Sequence, residues 1–397
     1  MSSQLVSHSP DLLRLREEGY DIEIRSSNLL VKVSYVTANK VVAYGLLVSE
    51  LTTSGDATTT PNTHVVSFVG ANDGDFPCDN LGRKLDALIN QSGQIPLGDG
   101  LIASCTFSHK PTPTYADYYE KMSTYSDMLL AYAQAIDPEV TTKTFPPIPT
   151  DEDESVFRYF DSATSKARIG AVTDKLRLRK VVLIGVGGTG SYVLDLVSKT
   201  PVQEIHLYDR DTMLTHNAFR APGAASLDEL KAAPKKVAYL QAKYDAMHRH
   251  VIAHDVDVDT SNIEELRDAD FVFLSIDGGS RKRFIIQKLE EFRVPFIDVG
   301  MGVYQVGDSL GGMVRTTAGT PGHTDHIWTN SKISFADAHD EDEYDQNIQI
   351  ADLNMLNAAL AVIKWKKLVG FYSDFEHEYS STYTIDGNHL LNEDQEQ

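Results

Sequence analysis

Apolar and polar residues alternate over short stretches in the first third of the chain. Strand-like segments at 29–36, 41–51 and 65–69 are separated by polar turn sequences, and a short helical segment near 11–18 precedes them. Alternation with a period of two is typical of half-buried β-strands. We therefore predict a compact α+β domain over residues 1–140.

A helix is predicted after these strands. One face of it is defined by apolar residues at steps of three and four, namely Met122, Tyr125, Leu129, Tyr132 and Ile136. This spacing predicts that the five side chains are buried in the domain core. The helix is expected to stop before Asp137 and Pro138, because proline cannot continue it.

Residues 141–154 read TTKTFPPIPTDEDE, with three prolines followed by an acidic run. This composition resists packing and favours an extended connection. A linker is therefore predicted here, followed by a second domain over residues 155–397.

The second domain has a different pattern. Apolar runs at 180–184, 204–208, 271–276 and 294–299 alternate with helical segments, and a strongly apolar helix is predicted at 348–365. Parallel strands buried on both faces give such continuous apolar runs. The predicted fold class is α/β, a doubly wound sheet.

Composition narrows the functional classes. The chain has 397 residues, 57 of them acidic and 36 basic, and a net charge of -21 opposes nonspecific binding to nucleic acids or anionic membranes. No apolar run is long enough to span a bilayer and no secretory signal begins the sequence, so a cytoplasmic protein is expected. The only two cysteines, Cys78 and Cys105, are too few for a disulfide framework or a four-cysteine zinc site.

A glycine-rich loop follows the first apolar run of the second domain. Residues 181–184 lead into GVGGTG, whose glycines are Gly185, Gly187, Gly188 and Gly190, and a helical segment follows. A strand, loop and helix in this order can bind phosphate or ribose at the helix N-terminus. Asp209 ends the next strand, where a carboxylate can hold ribose hydroxyls. These features fit NAD and ATP equally, and a purely structural turn is the third interpretation.

The next motif distinguishes between these nucleotides. The pattern D-x-D-x-x-x-x-x-N-x-x-R is formed by Asp209, Asp211, Asn217 and Arg220. It resembles the ThiF/MoeB/ubiquitin-activating-enzyme adenylation family. The resemblance implies that Asp209 holds the ATP ribose and that Asn217 and Arg220 contact the triphosphate. The family usually has glutamine after this arginine, where this chain has Ala221.

Further residues are implied by the same resemblance. The family has a phosphate-binding lysine at the start of a helix, and Lys235 and Lys236 both match, with Lys236 preferred because a small apolar residue follows it closely. Asp277, after the apolar run at 271–276, matches the family's magnesium-binding aspartate, although Ile276 and Gly278 replace its threonine and asparagine. The alternative is that Asp277 caps a helix beginning near Ser280.

Arginines outside this motif are weaker candidates. Arg281 or Arg283 is expected to support the site. The family places an arginine from before the first strand into the ATP site of a partner subunit. Arg158 and Arg168 are the candidates for that role, and it implies a homodimer.

The implied reaction is ATP- and Mg-dependent adenylation of the C-terminal carboxylate of a ubiquitin-like protein. Relatives that pass the acyl group onward carry a cysteine after the metal aspartate, and this chain has none after Cys105. Hydroxyl side chains of the segment 307–345, such as that of Ser334, could accept the acyl group as an ester. The favoured interpretation is that they are ordinary solvated residues of a loop. The His323 to His326 segment is read as a solvated loop, so no zinc is expected.

The N-terminal domain loosely resembles conjugating-enzyme-like folds. This implies a partner-binding domain, with Cys78 and Cys105 as buried structural thiols. The whole arrangement is similar to bacterial ubiquitin-like conjugation systems, which are linked to antiphage defence and include a conjugating enzyme. The alternatives are activation of a sulfur carrier or another carboxylate, a catalytically silent nucleotide-binding scaffold and, least favoured, an NAD-dependent oxidoreductase.

Overall fold

The protein is described by a computed structural model over residues 2–111, 114–152, 155–277, 279–335 and 348–395. Gly278, the acidic pair Asp153 and Glu154 of the predicted linker and positions 336–345 of the predicted loop lie outside these residues. The chain divides into two compact units, Met1–Ile148 and Pro149–Gln397. They are called the N-terminal and C-terminal units below.

The N-terminal unit is built on an antiparallel sheet of six strands in the order β1-β2-β3-β6-β8-β7. Its elements are α1 (Ser2–His8), α2 (Pro10–Glu17), β1 (Ile22–Arg25), β2 (Asn28–Val36), β3 (Val42–Glu50), β4 (Thr53–Ser54), β5 (Ala57–Thr58), β6 (Val65–Val69), β7 (Ile89–Gly98), β8 (Leu101–Ser108) and α3 (Tyr118–Gln134). The predicted strands are present, and β7 was not predicted because its exposed residues are mostly polar or glycine.

Helix α3 covers this sheet with the predicted apolar face, except at its end. Met122, Tyr125 and Leu129 are buried, whereas Tyr132 and Ile136 are each 38% exposed. Burial of these last two residues was a wrong prediction. The helix ends at Gln134, so Ile136 lies beyond it, and Ala133 takes the buried position in place of Tyr132.

The C-terminal unit contains one sheet of eight strands in the order β11-β10-β9-β12-β13-β14-β15-β16. Its elements are α4 (Ser162–Ala167), α5 (Gly170–Thr173), β9 (Lys180–Ile184), α6 (Gly188–Val197), β10 (Glu204–Tyr208), α7 (Thr215–Ala218), α8 (Leu227–Ala232), α9 (Lys236–Tyr244), β11 (Val251–His254), β12 (Phe271–Leu274), α10 (Gly279–Phe292), β13 (Phe296–Val306), β14 (Ser309–Gly319), α11 (Asp325–Thr329), α12 (Ala351–Leu368), β15 (Ser380–Thr384) and β16 (His389–Glu393), with short 3-10 helices at Asp174–Leu176 and Ile263–Leu266.

The predicted α/β class is confirmed. Strands β11, β10, β9, β12 and β13 are parallel, and buried apolar side chains on the two faces of the sheet belong to separate core clusters. One cluster includes residues of α6 and α12, and the other includes residues of α10. The carboxyl ends of the parallel strands therefore meet at one edge of the sheet, where ligands bind in such folds.

The remaining strands extend the sheet in antiparallel fashion. Strands β13 and β14 pair along their full lengths, and β15 and β16 follow. The segment after Gly307 was predicted to be a solvated loop, and for its first part this is wrong. Thr316 and Thr317 are buried within β14, at 3% and 0% exposure, so they do not offer free hydroxyls. The glycines and polar residues of β14 hid the strand pattern.

Over the part of the chain that the structure describes, no helix combines the length and the apolar character needed to cross a membrane.

Candidate functional site

A cavity of about 790 Å³ lies at the carboxyl ends of the parallel strands. Eight of the residues expected from the sequence line it: Gly185, Gly187, Gly188, Asp209, Asp211, Arg220, Lys236 and Asp277. Three others, Gly190, Asn217 and Lys235, are not among its lining residues. The volume is within the range of about 300–1,000 Å³ that is usual for small-molecule sites.

The glycine loop joins β9 to α6 in a turn that side chains would block. Gly185 has φ +84°, and a Cβ there would lie 2.5 Å from the carbonyl oxygen of Ser275. A Cβ on Gly190 would lie 2.0 Å from the carbonyl oxygen of Gly185, so Gly190 serves close packing rather than ligand contact. A Cβ on Gly187, in contrast, would meet nothing within 4 Å, which leaves this backbone open to a ligand.

Asp209 fixes the loop from the neighbouring strand. Its Oδ2 accepts a hydrogen bond from the Val186 amide at 3.0 Å, and its Oδ1 accepts one from the Asp211 amide at 2.9 Å. The side chain is nearly buried but lines the cavity. A carboxylate has lone pairs for more than these two bonds, so Asp209 can still accept bonds from ribose hydroxyls.

The two adjacent lysines lie in different surroundings. Lys236 opens α9, and its Nζ lies 2.7 Å from Asp211 and 3.9 Å from Asp209. The hydrogen bond from Lys236 holds the pKa of Asp211 below its usual value. Lys235 instead donates to the Arg210 carbonyl at 2.7 Å and pairs with Asp255 at 3.1 Å. Lys236 is therefore the lysine placed for a phosphate in the cavity.

Asn217 and Arg220 carry buried donors without acceptors. The Oδ1 of Asn217 accepts the Leu214 amide at 2.9 Å and caps α7. The Nδ2 of Asn217 and the Nε of Arg220 are buried, and neither has a hydrogen-bond partner in the described residues. Unpaired buried donors are costly and call for an explanation. An anionic ligand beside this helix would supply one.

Asp277 lies exposed at the end of β12, where it lines the cavity. No group of three His, Cys, Asp or Glu side chains is arranged for a metal ion in the described part of the chain. Mg²⁺ is commonly held by one or two carboxylates together with substrate phosphates and water. A single carboxylate beside the phosphates of a nucleotide therefore fits Mg²⁺.

The candidate arginines differ in position. Arg281 lines the cavity and pairs with Asp257 at 2.7 Å. Arg283 instead lies over the Phe335 ring at 4.5 Å, and Arg158 pairs with Asp245 at 2.6 Å. Arg168 ends α4 in a left-handed conformation. Neither Arg158 nor Arg168 lines this cavity.

Helix α12 contributes residues that the sequence motifs did not reveal. Asn354 and Asn357 are each 1% exposed and both line the cavity. Asn354 accepts the Thr189 hydroxyl at 2.8 Å and donates to the Arg220 carbonyl at 3.4 Å, so it connects the glycine loop to Arg220. The signal available in the sequence was a pair of amides three positions apart in an otherwise apolar helix.

Both thiols are buried, as expected. Cys78 is 3% exposed and Cys105 is 0% exposed. Burial raises the pKa of both groups, that of Cys105 to about 11. A thiol with a raised pKa is a weak nucleophile near neutral pH, because the thiolate is the reactive form.

Two family models match successive parts of the chain and meet at residue 162. The model of the ThiF family matches residues 162–390, and that of a Domain of unknown function (DUF6791) matches residues 10–162. Nothing among the curated proteins matches the chain.

Solved structures give more distant similarities. Escherichia coli MccB, crystallised with ATP, is 20% identical over 56% of this chain and 65% of that one, with a TM-score of 0.42. PaaA is 16% identical over 56% and 75%, with a TM-score of 0.44. The microcin C7 biosynthetic enzyme MccB in complex with N-formylated MccA is 14% identical over 94% of both chains, with a TM-score of 0.44. The match with the first of these spans less than two thirds of the E. coli protein.

Proposed function

Because this chain belongs to the ThiF family, whose model matches residues 162–390, we propose that it uses ATP to adenylate the C-terminal carboxylate of a ubiquitin-like protein. The observation that supports this proposal is the convergence of four features on one cavity: the glycine loop, Asp209, the basic pair Arg220 and Lys236, and Asp277. Hydride transfer would not require such a set of phosphate-binding side chains.

The protein residues have separate tasks in this proposal. Asp209 holds the ribose hydroxyls, and the open backbone at Gly187 lets the phosphates approach the N-terminus of α6. Arg220 and Lys236 neutralise the triphosphate. Mg²⁺ held between Asp277 and the phosphates would add further positive charge.

The reaction needs alignment more than a base. A C-terminal carboxylate is already ionised near neutral pH. One of its oxygens forms a bond to the α-phosphorus, the bond from that phosphorus to the bridging oxygen of the β-phosphate breaks, and pyrophosphate leaves with the electron pair. Positioning and charge stabilisation therefore account for the catalysis. The product is an acyl-adenylate.

The acyl group is not passed to a thiol of the C-terminal unit, because no cysteine follows Cys105 in the sequence. We place transfer on a separate conjugating enzyme in a bacterial ubiquitin-like conjugation system of the antiphage type. In the present chain, residues 1–140 act as a partner-binding domain, residues 141–154 as a linker and residues 155–397 as the adenylation domain. A homodimer would bring an arginine such as Arg168 to the neighbouring site.

Exchange of labelled pyrophosphate into ATP tests the proposal. The purified full chain should catalyse exchange only with a ubiquitin-like protein that has a free C-terminal carboxylate, and not with the same protein amidated at its C-terminus. Asp277→Ala should lower the exchange rate about 100-fold, or about 2.7 kcal/mol in activation free energy. Exchange without any protein substrate, or undiminished exchange by the Asp277 variant, would refute the proposal. Exchange that occurs with a sulfur carrier but with no ubiquitin-like protein would favour the alternative function, activation of a sulfur carrier.

A further inference from the structure

A second basic cluster lines the cavity on the side of β13 and β14. Asp298 is fully buried at 0% exposure. The Nζ of Lys282 lies 2.9 Å from its Oδ1, and the Nη2 of Arg315 lies 2.8 Å from its Oδ2. Lys282 and Arg315 line the cavity. Two cations share one carboxylate, so this wall carries an excess positive charge.

Arg315 is held in a defined orientation. It lies directly opposite Gly300 in the ladder between β13 and β14. A Cβ on Gly300 would come within 2.8 Å of Nη2 and 3.1 Å of Cζ, so the guanidinium lies against the bare backbone of Gly300. A guanidinium has five N–H donors, and the bond to Asp298 uses only one of them. Donors remain for a ligand in the cavity.

The sheet order separates Arg315 from the proposed nucleotide contacts. Asp209 follows β10, the glycine loop follows β9 and Asp277 follows β12, whereas Arg315 lies on β14. Neighbouring strands are about 4.8 Å apart, so β14 is roughly 10 Å from β12 and roughly 19 Å from β10. A nucleotide bound through Asp209 and the glycine loop would place its phosphates over β9 and β12, and the group that reacts with it over β13 and β14.

We propose that Arg315 binds the carboxylate of the acyl substrate, with Asp298, itself paired with Lys282, holding its guanidinium in place; this rests on the proposed adenylation. A planar guanidinium matches a carboxylate and leaves one of its oxygens directed at the α-phosphorus. That oxygen forms the new bond to phosphorus as pyrophosphate leaves, and no proton moves. The other oxygen stays with Arg315 and becomes the carbonyl oxygen of the acyl-adenylate.

The neighbouring residues fit an extended peptide tail. Gly302 and Met313 pair two positions further along the ladder and also line the cavity. A Cβ on Gly302 would meet nothing within 4 Å, so the strand is open at this position, next to the Arg315 guanidinium that covers Gly300. A tail with small residues next to its carboxylate would have room here.

Calorimetric binding of two small molecules to the full-length protein tests this role. One is AMP, and the other is 5′-O-(N-glycylsulfamoyl)adenosine, in which a sulfamoyl group replaces the phosphate and the glycyl carbonyl replaces the substrate carboxylate. Arg315→Gln should weaken binding of the glycyl compound at least 10-fold and change AMP binding less than 2-fold. Arg315→Lys, which keeps the charge but not the planar fork, should lie between wild type and Arg315→Gln. Arg177→Gln, on the exposed surface beside Asp174, is the control and should change neither.

The outcomes are distinguishable. Equal weakening of both compounds would make Arg315 a ligand of the nucleotide phosphate and overturn the inference, as would unchanged binding of both. If Arg315→Gln does not fold, the same comparison is made with Arg315→Lys, where an unchanged ratio of the two affinities overturns it. A wild-type protein that binds neither compound would instead contradict the proposed function itself.

Discussion

Lys235 and Lys236 are adjacent in the chain, but their side chains lie in different surroundings. Helix α9 begins at Lys236 and Lys235 precedes it in an extended conformation, so the two side chains leave the backbone in different directions. Lys236 is nearly buried among Asp209 and Asp211, whereas Lys235 is held on the surface by Asp255. The sequence left the choice between them open because it does not fix the first residue of a helix to within one position.

Alanine substitutions at these two lysines should have unequal effects on pyrophosphate exchange. Lys236→Ala removes a cation from the cavity and is expected to lower kcat/KM for ATP about 100-fold. Lys235→Ala, as the matched control, should stay within about 3-fold of wild type, because Lys235 does not itself line the cavity and its ion pair with Asp255 is partly exposed. Thermal unfolding of both variants would check the fold. Equal losses would show that the cavity is not the phosphate site.

Protonation of His248 should weaken the fold in acid. The ring is fully buried, its Nε2 donates to the Val202 carbonyl at 2.8 Å, and its Nδ1 accepts the His250 amide at 3.3 Å. Burial lowers the pKa of His248 to about 4. The unfolded chain therefore binds the proton more readily between about pH 6.5 and 4, so stability is present at neutral pH and falls as the pH falls.

The size of this effect can be measured with one variant. A shift of this magnitude corresponds to a loss of about 2 kcal/mol in the free energy of unfolding between pH 7 and pH 5. Urea unfolding at both pH values should show a smaller loss for His248→Gln than for wild type. His389→Gln, an exposed control, should retain the wild-type dependence. If the pH dependence of His248→Gln equals that of wild type, a group other than His248 causes the loss of stability in acid.

At the scale of the elements, the turn between β9 and α6 depends on close contact with β12. Gly190 lies where a side chain would overlap the Gly185 carbonyl, and the Ser275 hydroxyl donates to the same oxygen at 2.6 Å. This contact brings the helix N-terminus and the end of β12 together at the cavity. A glycine that does not itself line the cavity therefore determines its shape.

Gly190→Ala is accordingly predicted to destabilise the protein by about 3 kcal/mol, because backbone atoms cannot move aside as a flexible side chain can. Gly170→Ala is the matched control, since its added Cβ meets nothing within 4 Å and helix α5 favours alanine. Denaturant unfolding monitored by fluorescence would measure both. A Gly190→Ala protein as stable as wild type would show that the loop can open without cost.

The elements that could be predicted from the sequence were those with local signals. Strands β9 and β12 are almost entirely apolar, β10 alternates at its start and ends apolar, and α3 has a helical apolar face, so each could be identified from its own residues. Strand β14 was missed because Gly311, Gly312 and two threonines interrupt its pattern. In the candidate site, the residues near the glycine loop form a motif, whereas Arg315 and Asn354 reach the cavity only through the pairing and packing of distant segments.

At the scale of the whole molecule, each of the two units has an apolar core of its own. The N-terminal unit buries its apolar residues between α2, α3 and its antiparallel sheet. The C-terminal unit buries two clusters, one on each face of its mixed sheet. Each unit thus contains the apolar interior that independent folding requires.

Expressed separately, residues 1–148 and residues 149–397 should each unfold cooperatively. Far-UV circular dichroism during thermal unfolding would report this for both fragments, with the full chain as the reference. The second fragment should also bind AMP, because every residue that lines the cavity belongs to it. A fragment that lacks a cooperative transition would show that its core is not sufficient alone.

The order in which the cavity residues occur has a consequence for biosynthesis. The glycine loop follows Ile184, whereas the last wall of the cavity is supplied by Asn357, about 170 residues later. At about 5–20 residues per second, a ribosome needs roughly 10–35 s to make this interval. During that time β9, β10 and β12 can assemble on the emerging chain while the wall that closes the cavity is still missing. The residues proposed to bind the nucleotide, which end at Asp277, are therefore made before the walls that β14 and α12 supply.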